Sequence, residues 1–186
     1  YVFSEMDGPC VFIDPNAKTP DEKYKMFIKI SPVRGKPEKS DAGPIPVRVT
    51  KQLPKAQYAF ASPDGIHWRL MSPKKVNAGP KNDTAYSVFW DERIHKYVQY
   101  SRVWQAAPEQ VAYYKRTHKR YDGRAVVLHV GRATSDNFLD WSPEETVLKP
   151  DTIDRAGSPE GLTRMDFYGG NISRYRESQN VYIGLP

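Results

Sequence analysis

Hydrophobic positions along this chain come in short bursts, and none of the bursts keeps the three-to-four-residue spacing of a helix over a useful length. β-Branched and aromatic residues crowd Val11-Phe12-Ile13, Tyr24-Lys25-Met26-Phe27-Ile28, Gln57-Tyr58-Ala59-Phe60-Ala61, Ser87-Val88-Phe89-Trp90, Tyr97-Val98-Gln99-Tyr100 and Val126-Val127-Leu128-His129-Val130. Several of these alternate apolar with polar residues, as half-buried strands do. Sixteen prolines and twelve glycines separate the bursts. Only Pro108 to Tyr114 has some helical character. The pattern predicts an all-β chain: a sandwich, a barrel or a propeller.

Internal repeats choose among the three. Val11-Phe12-Ile13-Asp14 recurs 77 residues on as Val88-Phe89-Trp90-Asp91. Each copy leads through a turn to a strand opened by tyrosine, Tyr24 or Tyr97. Ser62-Pro63-Asp64-Gly65-Ile66-His67-Trp68 likewise recurs as Ser135-Asp136-Asn137-Phe138-Leu139-Asp140-Trp141. A short strand is expected after each, at Arg69-Leu70-Met71 and Thr146-Val147-Leu148. A third unit starts near Asp166 and runs to Val181-Tyr182-Ile183-Gly184. A four-stranded meander repeating at this length is the unit of a propeller. The expected division is a blade over 7–80, a second over 81–155 and half a blade over 160–186. Two and a half blades cannot close a ring and would leave apolar faces bare. The chain is therefore expected to be part of a larger propeller, its missing blades supplied by the rest of a parent chain or by another chain.

Composition narrows the chemistry. Charged residues make up 27% and hydrophobic ones 39%, and no apolar run reaches the ~20 residues of a membrane helix. One cysteine, Cys10, excludes an internal disulfide and a cysteine-based metal site. The four histidines have no metal-ligand spacing, so neither a metal nor another cofactor is expected, a structural cation in the central channel aside. The net charge of +6 gathers at Lys115, Arg116, His118, Lys119, Arg120 and Arg124. Without a nucleic-acid motif this run reads as a solvated loop. Partners among nucleic acids and membranes are not expected.

An aspartate stands ahead of each unit's first apolar run: Asp7 before Val11, Asp83 before Val88, Asp166 before Ile172. First strands of propeller blades line the central channel, so these three carboxylates converge if the reading is right. Converging carboxylates are what glycoside cleavage requires, one to donate a proton and another to act as nucleophile or base. The competing reading is turn capping, a common use of aspartate. Tyr86, Trp90 and Tyr168 lie near the same strand starts and are candidates to stack on a sugar, against the competing claim of core packing. Glu144 and Glu145 follow Trp141 and are expected in an outer turn. Glu160 is a remote candidate for proton donor.

The run Asp-Pro, Tyr-Lys-Met-Phe, Ser-Pro-Asp-Gly-Ile-His-Trp, Asp-Thr-Ala-Tyr-Ser-Val-Phe-Trp-Asp-Glu-Arg and Gly-Arg-Ala-Thr-Ser-Asp-Asn-Phe-Leu-Asp-Trp-Ser resembles the five-bladed β-propeller glycosidases of the family 32, 43 and 68 superfamily, most of all bacterial family-32-like proteins. The resemblance implies a secreted or periplasmic glycoside hydrolase acting on an oligo- or polysaccharide, often a furanoside. It implies three acidic residues on successive blades, matched here by Asp7, Asp83 and Asp166. The chain departs from the family in that Asp14-Pro15-Asn16 follows its strand rather than opening it. Arg-Asp-Pro and Glu-Cys do not occur. Two alternatives stand beside it: a non-catalytic propeller that binds glycan or protein, and a sialidase-like enzyme, because Ser62 to Trp68 approximates an Asp-box turn.

Overall fold

The computed structural model describes residues 6–30, 53–76, 82–106, 126–151, 153–154, 167–168 and 171–185, with only the backbone described at 6, 7, 82–86, 105, 106, 126 and 127. The 108–114 stretch, the basic run at 115–124 and Glu160 lie outside the described residues.

The described chain is all-β. Strands β1 (Met6–Ile13), β2 (Tyr24–Ile30), β3 (Ala56–Ser62) and β4 (Arg69–Leu70) form an antiparallel sheet in chain order. Strands β5 (Asn82–Asp91), β6 (Lys96–Ala106), β7 (Val126–Ser135) and β8 (Glu145–Leu148) form a second sheet in the same order. A hairpin of β9 (Asn171–Arg174) and β10 (Tyr182–Leu185) follows. Ile13 pairs with Tyr24, Trp90 with Tyr97 and Arg174 with Tyr182, so a tyrosine stands at the same register in the first or second position of each unit's second strand. No described helix is long and apolar enough to cross a membrane.

The two central strands of the first sheet, β2 and β3, are buried on both faces, which explains why they read as apolar runs rather than strict alternation. Successive side chains point to opposite faces. Met26, Ile28 and Ile30 join Tyr58, Phe60 and Leu53 on one side. Phe27 and Ala59 face the second sheet, where Val88, Tyr97 and Phe138 meet them. On its far face the second sheet packs Val98, Tyr100 and Val130 against Phe89, Phe167 and Ile172.

The two repeated turns share one hydrogen-bond scheme. Ser62 Oγ accepts from Gly65 N at 2.9 Å, and Asp64 Oδ1 accepts from Ile66 N and His67 N at 2.8 Å. Ser135 Oγ accepts from Phe138 N at 2.9 Å, and Asn137 Oδ1 accepts from Leu139 N at 2.9 Å and Asp140 N at 2.8 Å. Short polar side chains close such turns on their own backbone. The fourth residue is left-handed in both: Gly65 at φ 78° and Phe138 at φ 69°. Glycine takes this conformation freely. Phe138 is strained in it, and its full burial in the inter-sheet core offsets the cost.

Two expectations need correction. Asp7 and Asp83 lie inside β1 and β5, not ahead of them. Both strands begin earlier because each carries a register shift near its start, between Asp7 and Cys10 and across Asn82, Ala85 and Ser87. Glu145 is in β8 rather than in the outer turn; Glu144 lies in the connection before it as expected, but its side chain turns inward, half-buried, and accepts a hydrogen bond from Ser101 on β6.

Candidate active-site cleft

The first strands of the three units stand side by side: β1 packs against β5, and β5 against β9. Cys10 lies against Val88, and Asp14 against Tyr97 beside Trp90, so β1 and β5 run in the same sense. Between the three strands is a cleft of ≈ 1140 Å³. Its walls carry apolar Val11, Ile13 and Trp90 and polar Ser87, Ser173 and Arg174. Ser87 Oγ accepts from Ile172 N at 2.8 Å and ties β9 to β5 within the cleft. At the C-terminal end of the strands, Arg174 pairs with Glu92 at 3.5 Å.

The backbones of Asp7 and Asp83 share the opposite, N-terminal end of their parallel strands. Each sits at a bulge, a feature that re-aims side chains and is common beside active sites. The backbone register sets Asp7 opposite Lys29. In the second sheet Asn82 pairs with Val103 and Ala85 with Ser101, which sets the bulge holding Asp83 opposite Arg102. The side chains of Asp7, Asp83 and Tyr86, and Asp166 altogether, lie outside the described residues.

Two of the aromatic candidates are described. Trp90 lines the cleft, and its ring also meets Tyr97 edge-on, with centroids 4.9 Å apart. Tyr168 is 64% exposed, and the Arg102 guanidinium lies 5.0 Å from its ring centre. An exposed ring held by a cation keeps a face available to a ligand.

Cys10 also lines the cleft. Burial pushes its thiol up to about 11, which leaves it protonated and unreactive at neutral pH. Among the described residues no three His, Cys, Asp or Glu side chains are grouped so as to hold a metal ion.

Sequence reasoning missed Arg102 and set Glu144 aside as an outer-turn residue. Arg102 repeats the basic residue at Lys29, and that recurrence was a usable signal. Glu144 had no such signal, because it reaches Ser101 only where Gly131 has no side chain. A Cβ on Gly131 would stand 2.7 Å from the Glu144 Cγ and closer still to the Val103 side chain. Burial pushes the Glu144 carboxyl above the ordinary value, and the bond from Ser101 offsets part of the rise.

A scan against models of protein families finds no match to the chain, and neither does a comparison with curated proteins.

Proposed function

We propose that the chain forms blades of a β-propeller glycoside hydrolase that cleaves an oligo- or polysaccharide, a furanoside being the favoured substrate. Asp7, Asp83 and Asp166 are its acidic residues and Tyr168, Tyr86 and Trp90 its sugar-facing rings. The observation that carries this reading is the cleft between three first strands, with Asp7 and Asp83 at the same end of neighbouring strands and a bulge at each. A carboxyl that donates a proton to the leaving oxygen and a second that attacks the anomeric carbon or activates water both have to reach one bond. Two strands side by side and parallel, each with an aspartate at its second position, suit that requirement. A secreted or periplasmic location goes with this proposal.

The test is turnover by the intact polypeptide on furanoside and pyranoside glycans, beside Asp83→Asn and Asp166→Asn. Loss of about 10²–10⁴-fold in either variant, with an unchanged circular dichroism spectrum, supports the assignment. Full turnover in both rules it out.

One observation favours a second reading, a propeller that binds glycan or protein without cleaving it. Lys29 and the Arg102 position stand opposite the two aspartates. Carboxylates neutralised by these cations serve structure rather than proton transfer. Glycan binding with no turnover in the wild-type protein selects this alternative.

A further inference from the structure

The last residues of β6 reach the end of the second sheet at which Asp83 stands, because Asn82 pairs with Val103. Alternate side chains of a strand share a face. Val98 and Tyr100 face the third unit, and Arg102 and Trp104 continue the same row. The third unit is pinned beside them. Phe167 N donates to Leu128 O at 3.1 Å, and Leu128 is the residue paired with Trp104. That bond brings Tyr168 over the row. The Arg102 guanidinium lies 5.0 Å from the centre of the Tyr168 ring and 5.7 Å from the centre of the Trp104 ring.

This cluster is built unlike the packed seams. Tyr168 is left 64% exposed. Trp104 Nε1 is shielded from bulk water, and among the described residues nothing accepts its proton. A buried indole N–H ordinarily finds an acceptor. Arg102 carries five N–H donors in one plane, and a single bidentate carboxylate takes only two of them. An exposed ring, an indole donor and a guanidinium therefore stand together at the end of the sheet that holds Asp83. The ring suits the apolar face of a sugar. The donors suit an oxyanion carried on that sugar. An acidic sugar brought close to Asp83 meets like-charge repulsion, and a fixed cation beside it removes that cost.

We infer that the glycan is anionic, with a carboxylate or sulfate on the sugar that stacks on Tyr168, and that this group accepts from Arg102 and from Trp104 Nε1. The inference names the substrate class of the proposed site and rests on the sugar-binding part of that reading. The net charge of +6 acts in the same direction, since a basic protein gathers anionic polymers around it.

The test measures binding and turnover by the intact polypeptide on matched glycans at physiological salt. The pairs are inulin against carboxymethyl inulin and sulfated inulin, and methyl-esterified against de-esterified polygalacturonate. The charged member binds at least about tenfold more tightly than the neutral one, the effect of a hydrogen bond to a charged group. Carboxymethyl and sulfated inulin tell the two oxyanions apart. Arg102→Gln brings the members of the preferred pair to equal affinity. Trp104→Phe keeps a ring, removes only the N–H and lowers the preference about threefold or more; it carries the test if Arg102→Gln loses its fold. No preference in the wild-type protein, or binding of no charged glycan, overturns the inference. A preference unchanged in both variants overturns it too, because it assigns the effect to overall charge. Turnover of a neutral glycan without preference leaves cleavage standing and removes this subsite. Charge-selective binding without turnover does the reverse.

Discussion

The seam between the two sheets and the seam between the second sheet and the hairpin share a polar latch, a buried aspartate that accepts from a tyrosine hydroxyl and from a cation, but differ in what surrounds it. In the first, Asp14 at the end of β1 holds the Tyr97 hydroxyl and Lys25 Nζ, both at 2.7 Å. Asp14 and Lys25 are sealed at 0% and 3% exposure, and Phe138 fills the centre. Its ring lies 5.1–6.1 Å from those of Phe12, Phe27, Tyr97 and Trp141, mostly edge-to-face. In the second, Asp91 at the end of β5 holds the Tyr182 hydroxyl and Arg93. Arg93 is 21% exposed, and a gap of ≈ 300 Å³ remains beside Tyr100, Ile172 and Tyr182. The latch fixes which strand meets which. The apolar filling decides how much each seam stabilises, because burial of large side chains dominates the energy and a buried pair of charges contributes little net.

That comparison can be broken most severely at the sealed seam. Asp14→Ala leaves the buried Lys25 ammonium with only the half-buried Glu22 carboxylate, 3.6 Å away, and destabilises the intact protein by about 3 kcal/mol in urea unfolding. Asp91→Ala costs less, because Arg93 reaches water. Equal losses at the two sites contradict the difference drawn between the seams. Phe138→Ala costs about 3–5 kcal/mol. The matching change in the other turn, Gly65→Ala, costs about 1 kcal/mol. It introduces strain at φ 78° but meets only ordinary contact with the Tyr24 ring, 3.6 Å away.

Acid sharpens the contrast. Burial pushes the Asp91 carboxyl up, yet hydrogen bonds from Arg93 and Tyr182 outweigh it and hold the group at about 2. Its folded value is below the unfolded ~3.9, so its stabilisation is present above pH ~4 and is lost as pH falls toward 2. The urea midpoint of the wild-type protein falls over that window, and Asp91→Asn flattens the fall. Lys25 behaves in the opposite sense. Burial pushes its ammonium down, but bonds to Asp14 and Tyr97 outweigh this and raise it above the ordinary lysine value. Its contribution is complete below pH ~10.4 and is lost as pH rises through the folded value. The smallest effects are at the tyrosine hydroxyls. Tyr97→Phe costs about 1–2 kcal/mol and Tyr182→Phe about 1 kcal/mol. The order of the two reports which seam is sealed.

Much of this fold was legible in the residues. The apolar runs, the tyrosines opening second strands and the serine-headed turns before Trp68 and Trp141 are local features, and local spacing carries them. Strand starts are harder to read because a bulge interrupts the alternation that marks a strand, as at Gly8, which is left-handed at φ 60°. The latches went unread although the aspartates Asp14 and Asp91 and the tyrosines Tyr97 and Tyr182 stand at repeated positions. Asp14 pairs across the seam with a tyrosine 83 residues away, and nothing in local spacing reports such a partner. Glu144 was hidden in the same way, since its inward path depends on Gly131. Of the candidate site, the sequence supplied the strands that line the cleft and the backbone positions of two acidic residues. It could not supply Arg102 beneath Tyr168, which follows from how the third unit folds over β6.

The most direct test of the account is the separation of the Asp7 and Asp83 carboxylates in a crystal structure of the intact polypeptide. The account predicts both directed into the cleft and about 5–10 Å apart, near 5 Å for a retaining enzyme and beyond ~6.5 Å for an inverting one. Carboxylates turned away from the cleft, one bonded to Lys29 and the other to Arg102, would contradict it.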